Sequence, residues 1–552
     1  MRLLIVGLIA LLAACPQGGP TQVGVQPSWR AAQITAVPQV QASTITFAPS
    51  DSAATNYNET PVAAPHTDLD DAVTAAVSDA AHAAKITPPF PDARLFRACQ
   101  ELAEAVPEQG VVSYELVEFA LQRNGIVEPS PHLLVVWGNV DSPSSIVDQL
   151  KPRLAELLGD GATARLGVGA VHRATKDGNG VVVFALQASW LRSTPIPRTI
   201  AAGGSFPLDA TIDPRYHDPE VFVTHDDGST ERLPLAVGQG GEIQTTLACR
   251  QHTGRQQVEV TGSDASGSTV LANFPIWCGA EPPPSLTVAP VDDSPIADAS
   301  DAEKRLLALV NRDRLKANLP ALIWDDKVAA VARGHSEEMH ATKIVAHISP
   351  TTGSAADRVR AANIRTGVVL ENVARAYGVG EAHEGLMNSP GHRANIMSPS
   401  ATHIGIGVVL GDEVSGRREM FLTQVFIRKP PHVDPTRAAD EVRARLVAAR
   451  PGLVNEARLT SIAQGLADAL AAGQTREQAW PTVSKRVNAL NAGYARVGSV
   501  VTAVGDLSTV DANTLLGDSH PDEAGVGIAQ GPHPELGDNA IWIVVLMADK
   551  KK

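Results

Sequence analysis

The chain has 552 residues and a formal net charge of −14, with 44% hydrophobic, 19% charged and 4% aromatic residues. This length exceeds what one hydrophobic core accommodates, and it predicts roughly three to five domains. The acidic balance argues against a nucleic-acid-binding protein, because it leaves no basic stripe to neutralise phosphates.

The N-terminal segment MRLLIVGLIALLAAC has the pattern of an export signal. Arg2 precedes an apolar run, residues 3–12, that is too short to span a bilayer. The sequence Leu12-Ala13-Ala14-Cys15 resembles the lipobox of bacterial lipoprotein signal peptides, which implies cleavage of residues 1–14 and lipidation of Cys15. A plain secretory signal with a chance cysteine is the alternative. Under the lipobox interpretation the acyl chains anchor the protein in a membrane, and Pro16 favours the bacterial outer membrane or cell surface.

The next two segments differ in composition. Residues 15–66 are rich in Pro, Gln, Ser, Thr and Ala without sustained periodicity, which is typical of a tether. Residues 67–195 contain helical and strand patterns and are predicted to form an α/β module. Cys99 occupies an apolar position of a predicted helix, so we expect a buried free thiol; an intermolecular disulfide is the alternative.

Residues 196–280 show short alternating runs separated by turn residues, which predict a small Ig-like β-sandwich. Cys249 and Cys278 both fall in this region. Because an exported chain permits disulfides, we expect these two cysteines to pair. The Pro-rich residues 281–300 are predicted to be a linker.

Three blocks of the chain share one pattern. An amphipathic helix (92–104, 325–339, 456–470) is followed by a Gly-apolar-Gly-apolar strand (from 167, 405 and 525) and by a second apolar strand (from 181, 420 and 540). This predicts one α/β module present three times, in 67–195, 301–430 and 431–552. Chance similarity among Ala-rich helices, or a different α/β fold in the flanking blocks, is the alternative.

The middle block, residues 301–430, carries a series of polar motifs. In chain order they are His335-Ser336 with Met339, HISP at 347–350, LENV at 370–373, SPGHRANI at 389–396, HIG at 403–405 and TQVF at 423–426. This series resembles the CAP superfamily of SCP-like extracellular proteins, which includes the cysteine-rich secretory, antigen 5 and pathogenesis-related 1 proteins. The resemblance implies an α-β-α sandwich around an antiparallel sheet.

The resemblance also implies a surface cleft lined by two histidines and, in many members, two acidic residues. His347 and His392 match the histidines, and Glu371 matches the first acid. The second acid would fall near Ser389, where this chain departs from the family, and Glu384 is the nearest substitute. His403 at the start of the Gly-rich strand is a further accessory candidate.

Two neutral imidazoles and one carboxylate form a suitable ligand set for Zn²⁺ or another divalent metal such as Cu²⁺. A metal-bound water at such a site could support hydrolysis. The alternative is that His347, His392 and Glu371 bond to one another and only hold loops together. The flanking blocks have Leu154 and Ala512 where a matching histidine would stand, so they are interpreted as degenerate CAP-like modules kept for scaffolding or partner binding.

The sequence therefore predicts an α/β multi-domain, lipid-anchored, extracytoplasmic protein with one intact CAP module. The favoured function is a non-catalytic binding or envelope protein, whose ligand is a divalent metal, a lipid or sterol-like molecule, or another protein. A metal-dependent hydrolase or protease that uses the same cleft is one alternative. A purely structural cell-envelope protein is the other, so enzymatic activity stays open.

Overall fold

The computed structural model of the chain describes most residues after the N-terminal segment. The described ranges are 3–4, 10–11, 45–49, 52–59, 67–106, 112–129, 131–159, 163–174, 178–251, 253–288, 294–414, 417–429, 432–490, 493–517, 519–534 and 536–551. Cys15 and most of the predicted signal peptide and tether therefore lie outside the described residues. The chain divides into two compact units, one of residues 1–358, 370–399 and 404–426, the other of residues 359–369, 400–403 and 427–552.

The first unit begins with an α/β module. Its elements, with four short strands before them, are β1 (Leu3–Leu4), β2 (Ala10–Leu11), β3 (Ile45–Phe47), β4 (Asn56–Tyr57), α1 (Asp68–Ala84), β5 (Phe90–Pro91), α2 (Ala93–Ala105), α3 (Tyr114–Arg123), β6 (His132–Gly138), α4 (Pro143–Leu158), β7 (Thr163–His172) and β8 (Gly180–Ala188). The sheet order is β1-β6-β8-β7-β5. Cys99 is a buried free thiol on α2, as predicted, and burial raises its pKa, which makes it unreactive.

A β-sandwich follows. Its strands are β9 (Leu191–Ser193), β10 (Ile196–Pro197), β11 (Thr199–Ile200), β12 (Ser205–Ile212), β13 (His217–Thr224), β14 (Thr230–Arg232), β15 (Ala236–Val237), β16 (Glu242–Ala248), β17 (Gly254–Asp264), β18 (Gly267–Cys278) and β19 (Leu286–Val288). Two sheets, β11-β18-β17-β13-β14 and β15-β16-β12-β9, enclose one apolar core. The predicted disulfide between Cys249 and Cys278 is formed and links the two sheets.

Two short strands lie within the predicted tether. Within residues 15–66, strand β3 pairs with β19 and strand β4 pairs with β10. The Tyr57 side chain is fully buried, and its hydroxyl donates to the Pro275 carbonyl at 2.8 Å. The composition of this segment did not predict these contacts, because strands of two or three residues are too short to show a periodic pattern.

A third α/β part, which lies mostly in the first unit, contains the polar motifs. Its elements are α5 (Ala299–Lys316), β20 (Ile323–Trp324), α6 (Asp326–Thr342), α7 (Ala355–Ala361), β21 (Val369–Ala376), α8 (Val379–Asn388), α9 (Pro390–Ile396), β22 (His403–Val414) and β23 (Arg417–Ile427). The sheet order is β2-β21-β23-β22-β20. Asp325 begins α6 by accepting hydrogen bonds from the backbone N–H groups of Lys327 and Val328.

The second unit holds the C-terminal module. Its elements are α10 (Pro435–Ala449), β24 (Val454–Asn455), α11 (Ala457–Ala471), α12 (Arg476–Ala489), β25 (Tyr494–Val504), a 3₁₀ turn (Leu507–Thr509), α13 (Ala512–Leu516), β26 (Glu523–His533) and β27 (Gly537–Lys550). The sheet order is β24-β26-β27-β25. Side chains of β27 alternate between a core with α10 and α13 and a core with α11 and α12, so helices cover both faces.

The Gly-x-Gly strands pack in the same way in all three modules. A Cβ added to Gly405 or Gly407 would lie 2.1 Å from the backbone nitrogen of Ala329 or Arg333 on α6. A Cβ added to the glycines of β7 or β26 would likewise lie within 2.1–2.7 Å of the backbones of α2 and α11. Glycine at these positions is what lets each helix lie directly on its strand.

Among the described residues, no helix combines the length and the apolar content that crossing a membrane requires.

Candidate functional site

His347, Arg358 and Glu371 form one buried cluster. His347 lies in the loop after α6, Arg358 on α7 and Glu371 on β21, and each is at most 7% exposed. The His347 Nδ1–H donates to Glu371 Oε2 at 2.8 Å, and Arg358 Nη2 donates to the other carboxylate oxygen. Arg358 also donates to the His347 carbonyl at 3.2 Å, so it joins loop and strand.

The charges of this cluster favour an ionised carboxylate. Burial by itself would raise the pKa of Glu371, but the Arg358 guanidinium and the hydrogen bond from His347 lower it to about 2. Glu371 is therefore a carboxylate with both oxygens already engaged, one by an imidazole and one by a cation.

His392 lies in a second cluster, together with Ser389 and with Glu259 from strand β17 of the β-sandwich. All three side chains are fully buried. Ser389 Oγ donates to Glu259 Oε2 at 2.5 Å and lies 2.7 Å from His392 Nδ1. The Gly391 N–H donates to Glu259 Oε1 at 2.9 Å. The sandwich thus contributes an acidic side chain to the site.

Burial shifts both titratable groups of this second cluster toward neutrality. Burial, with His347 adding to it, lowers the pKa of His392 well below its usual range. Burial raises the pKa of Glu259 to about 7, although the hydrogen bonds from Ser389 and Gly391 oppose the shift. His392 Nε2 is buried and makes no hydrogen bond to any described residue.

An amide network joins the two clusters to the sheet. Asn395 Nδ2 donates to the Glu371 carbonyl at 2.9 Å and to Asn372 Oδ1 at 3.0 Å. Asn372 Nδ2 in turn donates to the His392 carbonyl at 3.2 Å and to Gln424 Oε1 at 3.0 Å. Strands β21 and β23 and helix α9 are therefore fixed relative to one another by buried hydrogen bonds.

The structure places the sequence-predicted residues in two clusters. His347 and Glu371 contact each other, whereas His392 contacts Ser389. The accessory candidates differ: Ser389 lies within the site, Glu384 interacts electrostatically with Arg312, and His403 Nδ1 lies 2.9 Å from Thr402 Oγ1. His347, Glu371, Ser389 and His392 are all buried, and the expected surface cleft stays a prediction.

Sequence reasoning missed Arg358 and Glu259. Arg358 lies in a short helix without any motif. Glu259 alternates with Val258 and Val260 along the strand. This pattern predicts that the Glu259 side chain faces outward into solvent. Its burial depends on a second domain that covers this face.

The arrangement does not present an open set of metal ligands. Both Glu371 oxygens are engaged, Arg358 places a positive charge beside them, and Ser389 engages His392 Nδ1. Within the described ranges, no group of three or more His, Cys, Asp or Glu side chains is positioned to hold a metal ion. The donor atoms described here therefore do not fit Zn²⁺ or Cu²⁺, and binding of either metal stays a prediction.

The raised pKa of Glu259 predicts how stability changes with pH. The folded chain keeps this proton up to about pH 7, whereas an ordinary glutamate loses it near 4.5, so the free energy of unfolding falls as pH rises through that window. Relative to Glu259→Gln, the wild-type chain should lose up to ~3 kcal/mol between about pH 4.5 and 7.5. Urea unfolding of both proteins at the two pH values measures this; a difference independent of pH would contradict it.

Comparisons with known proteins identify the part of the chain that carries this site. The family described as "CAP: Cysteine-rich secretory protein family" matches residues 307–426. Two relatives from Bacillus subtilis (strain 168) match: the uncharacterized membrane protein YlbC, 40% identical over 129 residues, and the uncharacterized protein YkwD, 35% identical over 134 residues. These matches cover 23% and 24% of this chain but 35% and 49% of the relatives, so the chain spans less than half of either relative.

Solved structures show the same kind of similarity. An extracellular SCP-domain protein from Bacillus anthracis str. Ames is 24% identical, with a TM-score of 0.22, over 36% of this chain and 68% of that one. An outer surface protein from Borrelia burgdorferi is 19% identical, with a TM-score of 0.22, over 24% of this chain and 96% of that one.

Proposed function

We propose that the whole chain is an extracytoplasmic, lipid-anchored binding or envelope protein, and that the site within residues 307–426, which match the CAP family, is not catalytic. The observation that carries this is the closed state of the site. His347, Glu371, Ser389 and His392 are buried, and they bond to one another, to Arg358 or to the β-sandwich. A hydrolytic site needs a substrate-accessible group, and this cluster offers none at the surface.

Export of the chain is supported by its covalent chemistry. A disulfide between Cys249 and Cys278 is stable in an oxidising compartment outside the cytosol. The name of one relative, a membrane protein, agrees with a location at the cell envelope. We place the chain at the bacterial outer membrane or cell surface, held by acyl chains on Cys15.

The anchor is tested by Cys15→Ser in the full chain. The wild-type protein should incorporate an alkyne-labelled palmitate and sediment with membranes, because two or more acyl chains bind a bilayer stably. The variant should lose the label and move to the soluble fraction. Cys99→Ala, which removes the buried thiol of α2, should leave both readouts unchanged. Label retained by Cys15→Ser would show that the lipobox interpretation is wrong.

The metallohydrolase alternative is tested by calorimetry. Titration of the full chain with Zn²⁺, and separately with Cu²⁺, should give heats equal to those of a His347→Gln/His392→Gln variant of matched thermal stability. The reason is that both Glu371 oxygens and the Nδ1 atoms of His347 and His392 are already engaged. Saturable binding that the double variant lacks would establish a metal site and would justify hydrolase assays.

We further propose that residues 67–195 and 431–552 are degenerate CAP-like modules and that the sandwich is Ig-like. The common packing of glycine pairs on α2, α6 and α11 supports this assignment. Their role would be to scaffold the CAP module or to bind a lipid, sterol-like or protein partner. A purely structural envelope role would leave function intact when the CAP site is changed without loss of folding.

A further inference from the structure

Two adjoining cavities lie in the first unit, where the β-sandwich meets its neighbours. One, of about 340 Å³, lies between the sandwich and helices α8 and α9. The other, of about 330 Å³, lies between the sandwich and helix α3. Arg255, Gln257 and Asn388 line both cavities, so the two adjoin at these residues. Cavities of this size at domain boundaries are typical of small-molecule sites.

The first cavity carries two arginines and one acidic residue. Arg255 extends from β17, Arg393 extends from α9, and Asp226 lies in the turn after β13. Arg255 Nη2 donates to Gln257 Oε1 at 2.5 Å, and Arg393 Nε donates to the Gly228 carbonyl at 3.2 Å. In the part of the chain that the structure describes, these bonds go to neutral acceptors, and neither guanidinium forms an ion pair with a carboxylate.

Both arginines are partly removed from water without a fixed counter-ion. Burial lowers the pKa of Arg255 and that of Arg393, although a guanidinium stays charged. Arg255 nevertheless keeps an exposed surface, as a side chain does when it faces a cavity that solvent reaches. Taking a cation out of water is unfavourable unless an anion compensates it. An oxyanion in this cavity would do so, since guanidinium groups match the oxygens of carboxylates and phosphates.

The second cavity has a different lining. Its apolar part consists of two aromatic rings and a proline, those of Phe119, Trp277 and Pro275. Glu115 and Glu118 line its α3 side and would repel an anionic group there. Arg198 also lines this cavity, but its Nη1 donates to the Ala54 carbonyl at 2.9 Å. The charges therefore orient a ligand, with its anionic end toward Arg393 and its apolar portion toward α3.

We propose that the two cavities form one binding site for a small organic oxyanion, namely a carboxylate or a phosphate ester that carries an apolar or aromatic portion. Arg255 and Arg393 hold the oxyanion, and the apolar portion lies along Phe119 and Trp277. This site goes beyond the proposed function and does not depend on it.

Phenyl phosphate and benzoate are the probes, because they share an aromatic ring and differ in the oxyanion. Calorimetric titration of the full chain in a chloride buffer should show saturable binding of at least one of them. Thermal unfolding is the second readout, in which a probe at ten times its dissociation constant should raise the folding equilibrium constant about 11-fold. Tighter binding of phenyl phosphate would identify a phosphate ester as the ligand class, and tighter binding of benzoate would identify a carboxylate.

Arg255→Gln and Arg393→Gln should each weaken binding about 10- to 100-fold, because each removes charge-assisted hydrogen bonds to the oxyanion. Arg192→Gln removes an exposed arginine of β9 and should leave the affinity unchanged. Inorganic phosphate and acetate should bind at least about 10-fold more weakly than the aromatic probes, since they leave the second cavity unfilled.

The absence of saturable binding of both probes to the wild-type chain would overturn the site. Equal affinities of wild type, Arg255→Gln and Arg393→Gln would do the same, as would equal affinities for the aromatic and the small anions. A glutamine variant that does not fold is replaced by the lysine variant, which keeps the charge but loses the planar guanidinium. Lipid labelling and metal calorimetry test the proposed function separately, so it would survive any of these results.

Discussion

Replacing Arg358 with alanine should lower the free energy of unfolding by about 3–5 kcal/mol, because it leaves the buried Glu371 carboxylate without its cation. The pKa of Glu371 is held at about 2 mainly by this guanidinium, which overcomes a large opposing effect of burial. The lost bonds from Arg358 to the carbonyls of His347 and Gly353 also loosen the loop. Urea unfolding at neutral pH measures the loss.

Two further variants separate charge from packing at Arg358. Arg365→Ala, at an exposed position on the same segment, should change stability by less than ~0.5 kcal/mol. The double variant Arg358→Met/Glu371→Gln should recover most of the loss, because it removes both buried charges. A loss below ~1 kcal/mol in Arg358→Ala would mean that the ion pair does not stabilise the site.

Gly407→Ala should destabilise the chain by about 3–4 kcal/mol, above the usual range for an added methyl group. Its Cβ would lie 2.1 Å from the Arg333 backbone nitrogen, so helix α6 as a whole must move away from β22. Backbone cannot rotate aside as a flexible side chain does. Thermal unfolding followed by circular dichroism measures this effect.

Gly334→Ala is the matched comparison on the same helix. An added Cβ at Gly334 meets nothing within 4 Å, so this variant should be more stable by up to ~1 kcal/mol through helix propensity. Equal effects of the two substitutions would show that the close approach of α6 and β22 is not what Gly407 provides.

The helices and strands that show a regular spacing of apolar residues or glycines could be predicted from the sequence. Apolar spacing located α2, α6 and α11, and the Gly-x-Gly pattern located the strands on which they lie. Cys249 and Cys278 could be paired because export and a β-rich region left few alternatives. The helix and strand patterns are each encoded within some 15 residues of sequence, which is roughly the range over which periodicity acts.

The candidate site was predictable only in part. The positions of His347, Glu371 and His392 followed from the motifs, but their burial did not. Glu259 lies 130 residues before Ser389, and nothing in a strand pattern states which domain will cover its outer face. Arg358 was missed because a single arginine in a seven-residue helix resembles any surface residue.

The covering of the CAP module by the sandwich bears on how the protein should be studied in pieces. A fragment of residues 301–430 would remove Glu259, the hydrogen-bond partner of Ser389 and Gly391 in the intact chain. Such a fragment would offer unpaired donors to any anion of the buffer and an artificial surface for self-association. Ligands found with such a fragment would bind a surface that exists only because the sandwich was removed. Screening for natural ligands therefore requires the sandwich and the CAP module on one polypeptide.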